Sequence, residues 1–214
     1  MKDPTDFVDT KNTLSTTLVI ASGNVHKIRE CKEILKTIFS IDILTLRDFP
    51  AYTPPEETGS SFEENASIKA VHAAEALGAL VIADDSGLVV PALNGKPGVF
   101  SARYAGVDAT DRENRKKLLL DMEDLKEEDR FAYYQCCIAL ASPKGLEKCV
   151  EGKCEGKLLR QEKGGEGFGY DPLFVKHDYN KTFAELTESI KNRISHRRKA
   201  LDKILPFLED RLSK

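Results

Sequence analysis

A strand, a helix and a second strand follow one another near the start of the chain, and this order constrains the fold most. TLVIA at 17–21 is a short apolar run of the kind that forms a buried strand. In the segment 25–39 apolar residues recur at helical spacing, and IDILTL at 41–46 returns to strand character. Because two strands joined through a helix lie parallel in one sheet, the unit predicts an α/β fold with parallel strands.

Two later segments carry helix-capping signals. SSFEENASIKAVHAAEALG predicts a helix that begins with a capping box of Ser61 and Glu64 and ends at Gly78. Thr110 with Glu113 predicts a second capping box, at the start of a short helix. Both helices follow loops, the first of which is rich in proline, so the loops are expected to be exposed.

The remaining strand signals differ from the first unit. ALVIADDSGLVV at 79–90 predicts a buried strand that ends at its two acids, with Ser86 and Gly87 turning the chain. The segment 130–159 predicts two long antiparallel strands around the tight turn SPKG. A helical stripe then closes the chain, with Pro206 predicted to kink it or to begin a second piece. This order predicts two lobes around a long central mixed sheet, with a deep cleft between them.

Length and composition narrow the class of protein. The chain has 214 residues, and its 32 basic and 35 acidic residues give a net charge of -3, so there is no electrostatic case for a DNA or RNA partner. Its five cysteines form no paired C-x-x-C spacing, so neither zinc nor a disulfide framework is expected. The leader, 1–15, is polar, and no run approaches the roughly 20 apolar residues that span a bilayer. We therefore expect a flexible leader and a single domain at 16–214, in the cytoplasm and away from membranes.

The hexapeptide SGNVHK at 22–27 lies where the first strand meets the first helix. Free backbone N–H groups and the positive end of the helix dipole converge there, and Ser22, Asn24 and Lys27 add side-chain donors. The segment matches neither a Walker A loop nor a dinucleotide-binding glycine pattern. It predicts either a phosphate site or only a helix cap.

Two pairs of acids are candidates for chemistry. Asp84 and Asp85 lie at the carboxyl end of a predicted strand, where open parallel sheets place their ligands. Because adjacent strand residues point to opposite faces, one acid is expected to face the cleft while the other braces the backbone. Glu56 and Glu57 end the proline-rich loop and, with Asp85, offer the oxygen ligands that Mg²⁺ takes. The alternatives are ordinary turn formation for the aspartates and a solvated pair for the glutamates.

The heptapeptide FGYDPLF at 168–174 places an aromatic ring between two glycines, with Pro172 removing a backbone donor soon afterwards. It predicts either a tight turn that enters a buried strand or a platform for a planar ligand such as a purine base. Farther on, the segment 188–200 carries a group of basic side chains that includes Lys191 and Arg197. Bases at a helix start oppose its dipole, which favours an anionic ligand, although a basic solvated face is the alternative.

Five blocks, in this order, resemble the signature blocks of the inosine/xanthosine triphosphate pyrophosphatase family: SGNVHK, EETGSSFEENASIKA, ADDSGLVVPALNGKPGVFSARYAG, GGEGFGYDPLF and ISHRRKAL. The resemblance covers about residues 17–208. It implies a two-lobed fold, a homodimer, and Mg²⁺-dependent hydrolysis of ITP, dITP or XTP to the nucleoside monophosphate and pyrophosphate, which removes non-standard purine nucleotides from the pool.

The resemblance also assigns roles to residues. Asp85 would accept a proton and bind the metal together with Glu56, while Glu57 matches the metal position less well and Asp84 is an alternative second ligand. Phosphate would be held by Ser22, Gly23, Asn24, Val25, His26 and Lys27, and Ser86 would also touch the substrate. The base would be received by Phe168, Gly169, Tyr170 and Asp171, with further base and phosphate contacts from Lys191, His196 and Arg197.

Two rival functions use the same residues differently. A non-catalytic purine-nucleotide-binding regulatory module would keep the SGNVHK and FGYDPLF segments, but it has little reason to place Asp85 and Glu56 around a metal. A phosphatase or kinase-like phosphoryl transferase would release orthophosphate or pass it to an acceptor. The acids favour an enzyme, and the released product distinguishes the reaction class.

Overall fold

Six strands form one mixed sheet in the order β2-β1-β3-β4-β5-β6 in the structure, a computed structural model that describes residues 17–212. The strands are β1 (Thr17–Ile20), β2 (Asp42–Thr45), β3 (Leu80–Val89), β4 (Phe131–Ser142), β5 (Gly145–Leu158) and β6 (Phe174–Lys176). The helices are α1 (Val25–Lys36), α2 (Phe62–Leu77), α3 (Asp111–Asp121), α4 (Glu188–Ile194) and α5 (His196–Leu212). The predicted leader, 1–15, lies outside the described residues.

The sheet changes from parallel to antiparallel pairing at β3. β1 pairs with β2 and with β3 in parallel, as the first strand, helix and strand predict. β3 pairs with β4, β4 with β5, and β5 with β6, all antiparallel. The hairpin predicted around SPKG is confirmed, with β4 ending at Ser142 and β5 beginning at Gly145. The mixed central sheet of the predicted fold class is therefore confirmed.

Helices cover both faces of the parallel part of the sheet. On one face, residues of α1 and α5 pack with alternate residues of the strands, for example Ile34 and Ile204 against Leu18. On the other face the alanine-rich side of α2 packs against Val19 and Ala139. This burial of both faces explains the continuous apolar runs of the strands.

A third apolar cluster forms the second lobe, at the far end of β4 and β5. It joins Tyr134 of β4 and Phe174 of β6 to Leu118 of α3 and to Phe183. Two lobes, each with its own apolar packing, thus share β3, β4 and β5. The cleft between them opens beside the end of β1.

The structure corrects the prediction that β3 ends at its two acids. β3 continues through Asp84, Asp85, Ser86 and Gly87 to Val89, and Ser86 and Gly87 do not turn the chain. Its parallel partner β1 stops opposite Ile82, but β4 stays paired with β3 over the whole remaining length. The acids therefore lie at the end of the parallel sheet and in the middle of an antiparallel ladder.

Two details of the helices also differ from the sequence expectation. Ser61 Oγ accepts from Glu64 N at 3.1 Å, but the Glu64 carboxylate accepts from Ser60 instead of Ser61, so only half of that capping box forms. The box of Thr110 and Glu113 is confirmed. At the C-terminal end Pro206 lies inside α5, and the break between helical pieces falls at Ser195, before α5 begins. Within 17–212 no helix is long and apolar enough to cross a membrane.

Candidate active site

A cavity of about 320 Å³ opens between the lobes, beside the carboxyl end of β1. It brings together segments that are far apart in the sequence: the turn before α1, the middle of β3, the FGYDPLF turn and the α4–α5 junction. The predicted site residues that line it are Ser22, Gly23, Asn24, Lys27, Asp85, Ser86, Phe168, Gly169, Tyr170, Asp171, Lys191, His196 and Arg197. Three predicted residues do not line it: Val25, His26 and Glu56.

The SGNVHK turn is both a helix cap and one wall of the cavity. Asn24 is the N-cap of α1, and its Oδ1 accepts from the backbone N of His26 at 2.9 Å and of Lys27 at 3.2 Å. These two amides are therefore not free, in contrast to the expectation that open N–H groups converge here. Ser22 N and Asn24 N are also in use, donating to Ile20 O at 3.1 Å and to Ser22 Oγ at 3.2 Å, so the donors left for an anion are the side chains of Ser22 and Lys27 and the backbone N–H of Gly23.

Asp84 and Asp85 point to opposite sides of β3, as the strand period predicts. Asp84 is buried and does not line the cavity; its Oδ2 accepts from Arg197 Nη2 at 3.1 Å and lies 3.4 Å from Lys27 Nζ. Burial alone would raise the pKa of Asp84, but Lys27 and Arg197 hold that pKa well below its ordinary value. Asp84 is thus a permanent anion that positions two cationic side chains.

Asp85 is the acid that faces the cavity, and α2 holds its carboxylate. Asn65 Nδ2 donates to Asp85 Oδ2 at 3.2 Å, and Lys69 Nζ donates to Asp85 Oδ1 at 3.3 Å. Burial raises the pKa of Asp85, and the nearby charges of Lys27 and Lys69 offset only part of that rise. A carboxylate with a raised pKa is a stronger base than an ordinary aspartate.

Lys69 is a site residue that the sequence reasoning missed. Its Nζ donates to Glu57 Oε1 at 2.8 Å as well as to Asp85, so one ammonium joins the proline-rich loop to β3. Glu57 lines the cavity, whereas Glu56 is exposed and does not line it. The only signal for Lys69 in the sequence was its position beside the alanines on the side of α2 that packs inward. The acid beside Asp85 is therefore Glu57, and a metal role for Glu56 stays a prediction.

The FGYDPLF turn leads into a buried strand, and a role as a platform for a planar ligand stays a prediction. Gly167 and Gly169 have φ values of +78° and +60°, which only glycine adopts easily, and a Cβ on Gly167 would lie 2.2 Å from Asp171 Oδ2. Asp171 is buried, and its Oδ2 accepts from Phe168 N at 3.0 Å and from Lys191 Nζ at 2.6 Å. The turn does enter a buried strand, β6, and it also places the Phe168 ring at the cavity wall.

The two aromatic rings of this turn have different surroundings. Tyr170 is buried, and its hydroxyl donates to the carbonyl oxygen of Ser101 at 2.9 Å, which ties it to the cavity wall opposite. Phe168 is only half-buried, and its ring stacks on His26 with centroids 5.0 Å apart. Lys191 Nζ lies 4.5 Å from the Phe168 centroid. Phe168 is therefore the ring that a planar ligand could reach.

Three basic residues of the segment 188–200 are buried, whereas Arg193 and Lys199 are exposed. Lys191, His196 and Arg197 are all buried, with at most 4% of their surface exposed. Glu30 of α1 pairs with Lys191 at 2.8 Å and also with Arg197. The sequence reasoning missed Glu30, although it lies one turn after Lys27 and one turn before Ile34, on the buried side of α1. These cations are held by the protein's own acids before any ligand binds.

His196 is a buried side chain that lines the cavity. Its ring stacks on Tyr134 with centroids 4.7 Å apart and 9° between the planes. Burial and the charges of Arg197 and Lys191 lower its pKa well below the ordinary value. Its Nδ1 is buried and has no hydrogen-bond partner within the part of the chain that the structure describes. A buried nitrogen without a partner is uncommon in a folded protein, and here it belongs to a residue that lines the cavity.

The described residues, 17–212, contain no cluster of three or more His, Cys, Asp or Glu side chains that could hold a metal ion unaided. Asp85 and Glu57 nevertheless present carboxylate oxygens to a single ammonium, that of Lys69. A cation is thus already accommodated between these two acids. A divalent ion there would need further oxygen ligands from water or substrate.

The chain is similar to known proteins over most of its length. A model of the Ham1 family matches residues 18–207. The dITP/XTP pyrophosphatase of Protochlamydia amoebophila (strain UWE25) is 59% identical over 194 residues, covering 90% of this chain and 98% of that protein. The dITP/XTP pyrophosphatase of Chlamydia abortus (strain DSM 27085 / S26/3) is 56% identical over 198 residues, covering 92% of this chain and 96% of that protein.

Solved structures agree with these sequence matches. The Ham1 protein of Staphylococcus aureus has a TM-score of 0.80 and 42% sequence identity, covering 91% of this chain and 98% of that chain. A HAM1 protein from Coxiella burnetii has a TM-score of 0.82 at the same identity and coverage. With nearly the whole length matched in both sequence and structure, the chain belongs to the Ham1 family.

Proposed function

We propose that the protein hydrolyses non-standard purine nucleoside triphosphates (dITP, ITP and XTP) to the nucleoside monophosphate and pyrophosphate. One observation carries the proposal: Asp85 faces a cavity that is lined on one side by Lys27 and on another by Phe168. A basic turn, a carboxylate and an exposed ring in one cleft match the phosphates, the reacting water and the base of a nucleotide. The relatives named dITP/XTP pyrophosphatase support this substrate class.

The phosphates would lie against the turn before α1. Lys27 Nζ and Ser22 Oγ are donors there, at the positive end of the α1 dipole. Asp84 pairs with Lys27 at 3.4 Å and so fixes where its ammonium points. As the bond between the α and β phosphates breaks, negative charge grows on the leaving pyrophosphate, and a cation already in position stabilises it most.

Mg²⁺ is the proposed cofactor, and the residues present fit it. Asp85 and Glu57 are carboxylates that already share a cation, the Lys69 ammonium, and both line the cavity. These two residues would hold the ion, with water and phosphate oxygens completing its ligands. When bound, Mg²⁺ supplies neutralisation of phosphate charge and acidification of water.

Asp85 would act as the proton acceptor. A water attacks the α phosphorus, its oxygen forms the new bond to phosphorus, and the bridging oxygen leaves with pyrophosphate. Asp85 takes the proton that the water loses, and burial, which raises its pKa, makes it a better acceptor. Ser86, the next residue on β3, lines the same cavity and is placed to touch the substrate.

The base would stack on Phe168 and present its 6-position to donors. Lys191 Nζ lies 4.5 Å from the Phe168 ring centroid, and His196 and Arg197 line the same cavity. Hypoxanthine and xanthine carry an acceptor oxygen at this position, whereas adenine carries an amino donor. A buried donor left without an acceptor costs about 1–3 kcal/mol, so we expect roughly tenfold to hundredfold preference for ITP over ATP.

Product analysis tests the reaction class directly. Purified protein is incubated with ITP and Mg²⁺, and we expect IMP and pyrophosphate as the products. Release of orthophosphate would identify a phosphatase instead. Tight binding of ITP without turnover would support the regulatory module, and equal turnover of ATP and ITP would contradict the proposed base recognition.

We also propose the cellular setting. Residues 16–214 would act as a single two-lobed domain, as a homodimer in the cytoplasm, on a small-molecule substrate and without nucleic acid or membrane as partner. The net charge of -3 supports the exclusion of nucleic acid. Light scattering of the purified protein would test the dimer, and a monomer mass would contradict it.

A further inference from the structure

Asn65 of α2 is a fully buried polar side chain with both ends of its amide in use. It is 0% exposed; its Nδ2 donates to Asp85 Oδ2 at 3.2 Å, and its Oδ1 accepts from Gly59 N at 2.8 Å. A buried amide is costly to place in a protein unless its polar atoms are paired. The site of Asn65 therefore requires a side chain that donates toward Asp85 and accepts from Gly59.

The orientation of the Asn65 amide is fixed by chemistry. A backbone N–H can only donate, so the Gly59 side must face the carbonyl oxygen of the amide. The NH₂ group must then face Asp85, where a carboxylate oxygen accepts. An aspartate of the same shape could satisfy Gly59 but would place an oxygen against the Asp85 oxygen.

The contact with Gly59 depends on a close approach that excludes other residues. A Cβ on Gly59 would lie 2.7 Å from Asn65 Oδ1 and 2.7 Å from Glu64 Cβ. Gly59 is only two residues after Glu57, the acid that shares Lys69 with Asp85. Through Asn65, the loop that carries Glu57 is held at a fixed distance from β3.

Asn65 and Lys69 together hold both oxygens of Asp85 from one face of α2. They lie four residues apart, so their side chains point the same way. The Lys69 ammonium is charged and also pairs with Glu57, so an incoming triphosphate competes for it. The Asn65 amide is uncharged and buried, so its bond to Asp85 persists when phosphate is bound.

We propose that Asn65 is a positioning residue that holds the Asp85 carboxylate in its reactive orientation and couples it to the Glu57 loop through Gly59. This inference rests on the proposed function, because it assigns Asp85 the role of proton acceptor. Asn65 touches no substrate and acts only through Asp85 and the loop.

Asn114 offers a matched control. It is also a buried asparagine, and it binds the backbone at both ends, accepting from Ala105 N at 2.8 Å and donating to Ala102 O at 3.0 Å. It has no contact with Asp85. Replacing either asparagine by alanine removes two hydrogen bonds from a buried site, so the two variants should lose similar free energy of unfolding.

The experiment compares Asn65→Ala, Asn65→Asp and Asn114→Ala with the wild-type protein, using dITP and Mg²⁺. We expect both Asn65 variants to lose roughly 10- to 100-fold in kcat with KM nearly unchanged, because loss of an outer partner misplaces the reacting group. Asn114→Ala should keep the wild-type kcat. Hydrogen exchange of the backbone should speed up at residues 57–60 in Asn65→Ala and stay unchanged there in Asn114→Ala.

Asn65→Asp keeps the volume and the bond to Gly59 but sets a second carboxyl group against Asp85 Oδ2, so its kcat tests the donor while urea unfolding of all three variants measures the cost of the paired acids. Wild-type kcat in this variant, or unchanged exchange at 57–60 in Asn65→Ala, would overturn the inference. An equal loss of kcat in Asn114→Ala would also overturn it, because the effect would then be general destabilisation. If the wild-type protein itself releases no dIMP and pyrophosphate from dITP, the proposed function fails first, and the exchange measurement still decides whether Asn65 holds the loop.

Discussion

The ring of Phe168 stacks on the imidazole of His26, with the two centroids 5.0 Å apart and 13° between the planes. The stack joins the first turn of α1 to the glycine turn of the other lobe. Phe168 lines the cavity and His26 does not. The histidine therefore supports the side of the Phe168 ring that faces away from the cavity. The proposed base platform is therefore a supported ring and not a free side chain.

Phe168→Ala should weaken recognition of the base and leave recognition of the phosphates intact. Stacking on an aromatic ring contributes about 1–3 kcal/mol for a nucleic-acid base, so we expect KM for dITP to rise about tenfold or more. Inorganic tripolyphosphate has no base, and its inhibition constant should not change. A parallel loss of both would mean that Phe168 only keeps the cleft in shape.

Lys27→Ala should weaken binding of the triphosphate much more than binding of inosine. The Lys27 ammonium lines the cavity 3.4 Å from Asp84, at the proposed phosphate end, and a nucleoside carries no charge for it to meet. Calorimetry with a non-hydrolysable ITP analogue and with inosine measures the two affinities. Lys36→Ala, on the exposed last turn of the same helix, is the control of equal charge. Equal losses for both ligands would make Lys27 a structural residue.

Asp85→Asn should abolish turnover without unfolding the protein. An amide cannot take a proton from water, so the proposed acceptor is lost while the shape is kept. Burial raises the pKa of Asp85, so its charged form opposes folding at neutral pH. The uncharged asparagine removes this cost, and the melting temperature of the variant should be no lower than that of the wild type. Turnover by the variant would move the base role to another group.

His196 predicts a loss of stability in mild acid. Burial, with Arg197 and Lys191 nearby, lowers the pKa of His196 well below its ordinary value, so the folded protein keeps the ring neutral. The unfolded chain takes up the proton below about pH 6.5, so it binds more protons there and the free energy of unfolding falls as the pH drops. The slope from this residue approaches about 1.4 kcal/mol per pH unit.

The measurement is urea unfolding of the wild type and of His196→Gln across about pH 8 to pH 5. Glutamine does not titrate, so the variant should lose this part of the slope even though it also loses the stack on Tyr134. Parallel curves for the two proteins would show that His196 takes up its proton equally in the folded and unfolded states.

Local patterns were enough to predict the first strand–helix–strand unit and the start of α3. The period of apolar residues in α1 and the capping signals of Thr110 and Glu113 act between near neighbours, so they can be read directly. The end of β3 could not be read in this way. Its continuation past Asp84 depends on pairing with β4. Asp85 pairs with Cys137, which lies 52 residues later, and no local pattern carries that information.

The missed site residues have the same origin. Glu30, Asn65 and Lys69 lie on helices, where a polar side chain usually indicates a solvated face. Each is instead directed inward to a partner that only the folded chain brings near, such as Arg197 for Glu30. The FGYDPLF turn could be identified because its glycines permit a turn conformation and its proline fixes the local backbone.

The end of β1 beside Asp85 has a mechanical consequence. Beyond Ile82, β3 loses its parallel neighbour, so the sheet narrows to the β3–β4–β5 ribbon at the level of the two aspartates. A ribbon twists and bends more readily than a sheet buttressed on both edges, and the lobes would therefore pivot about this level. Points near a pivot travel least. If the cleft closes around a nucleotide, the carboxylate of Asp85, the proposed proton acceptor, would therefore stay almost stationary.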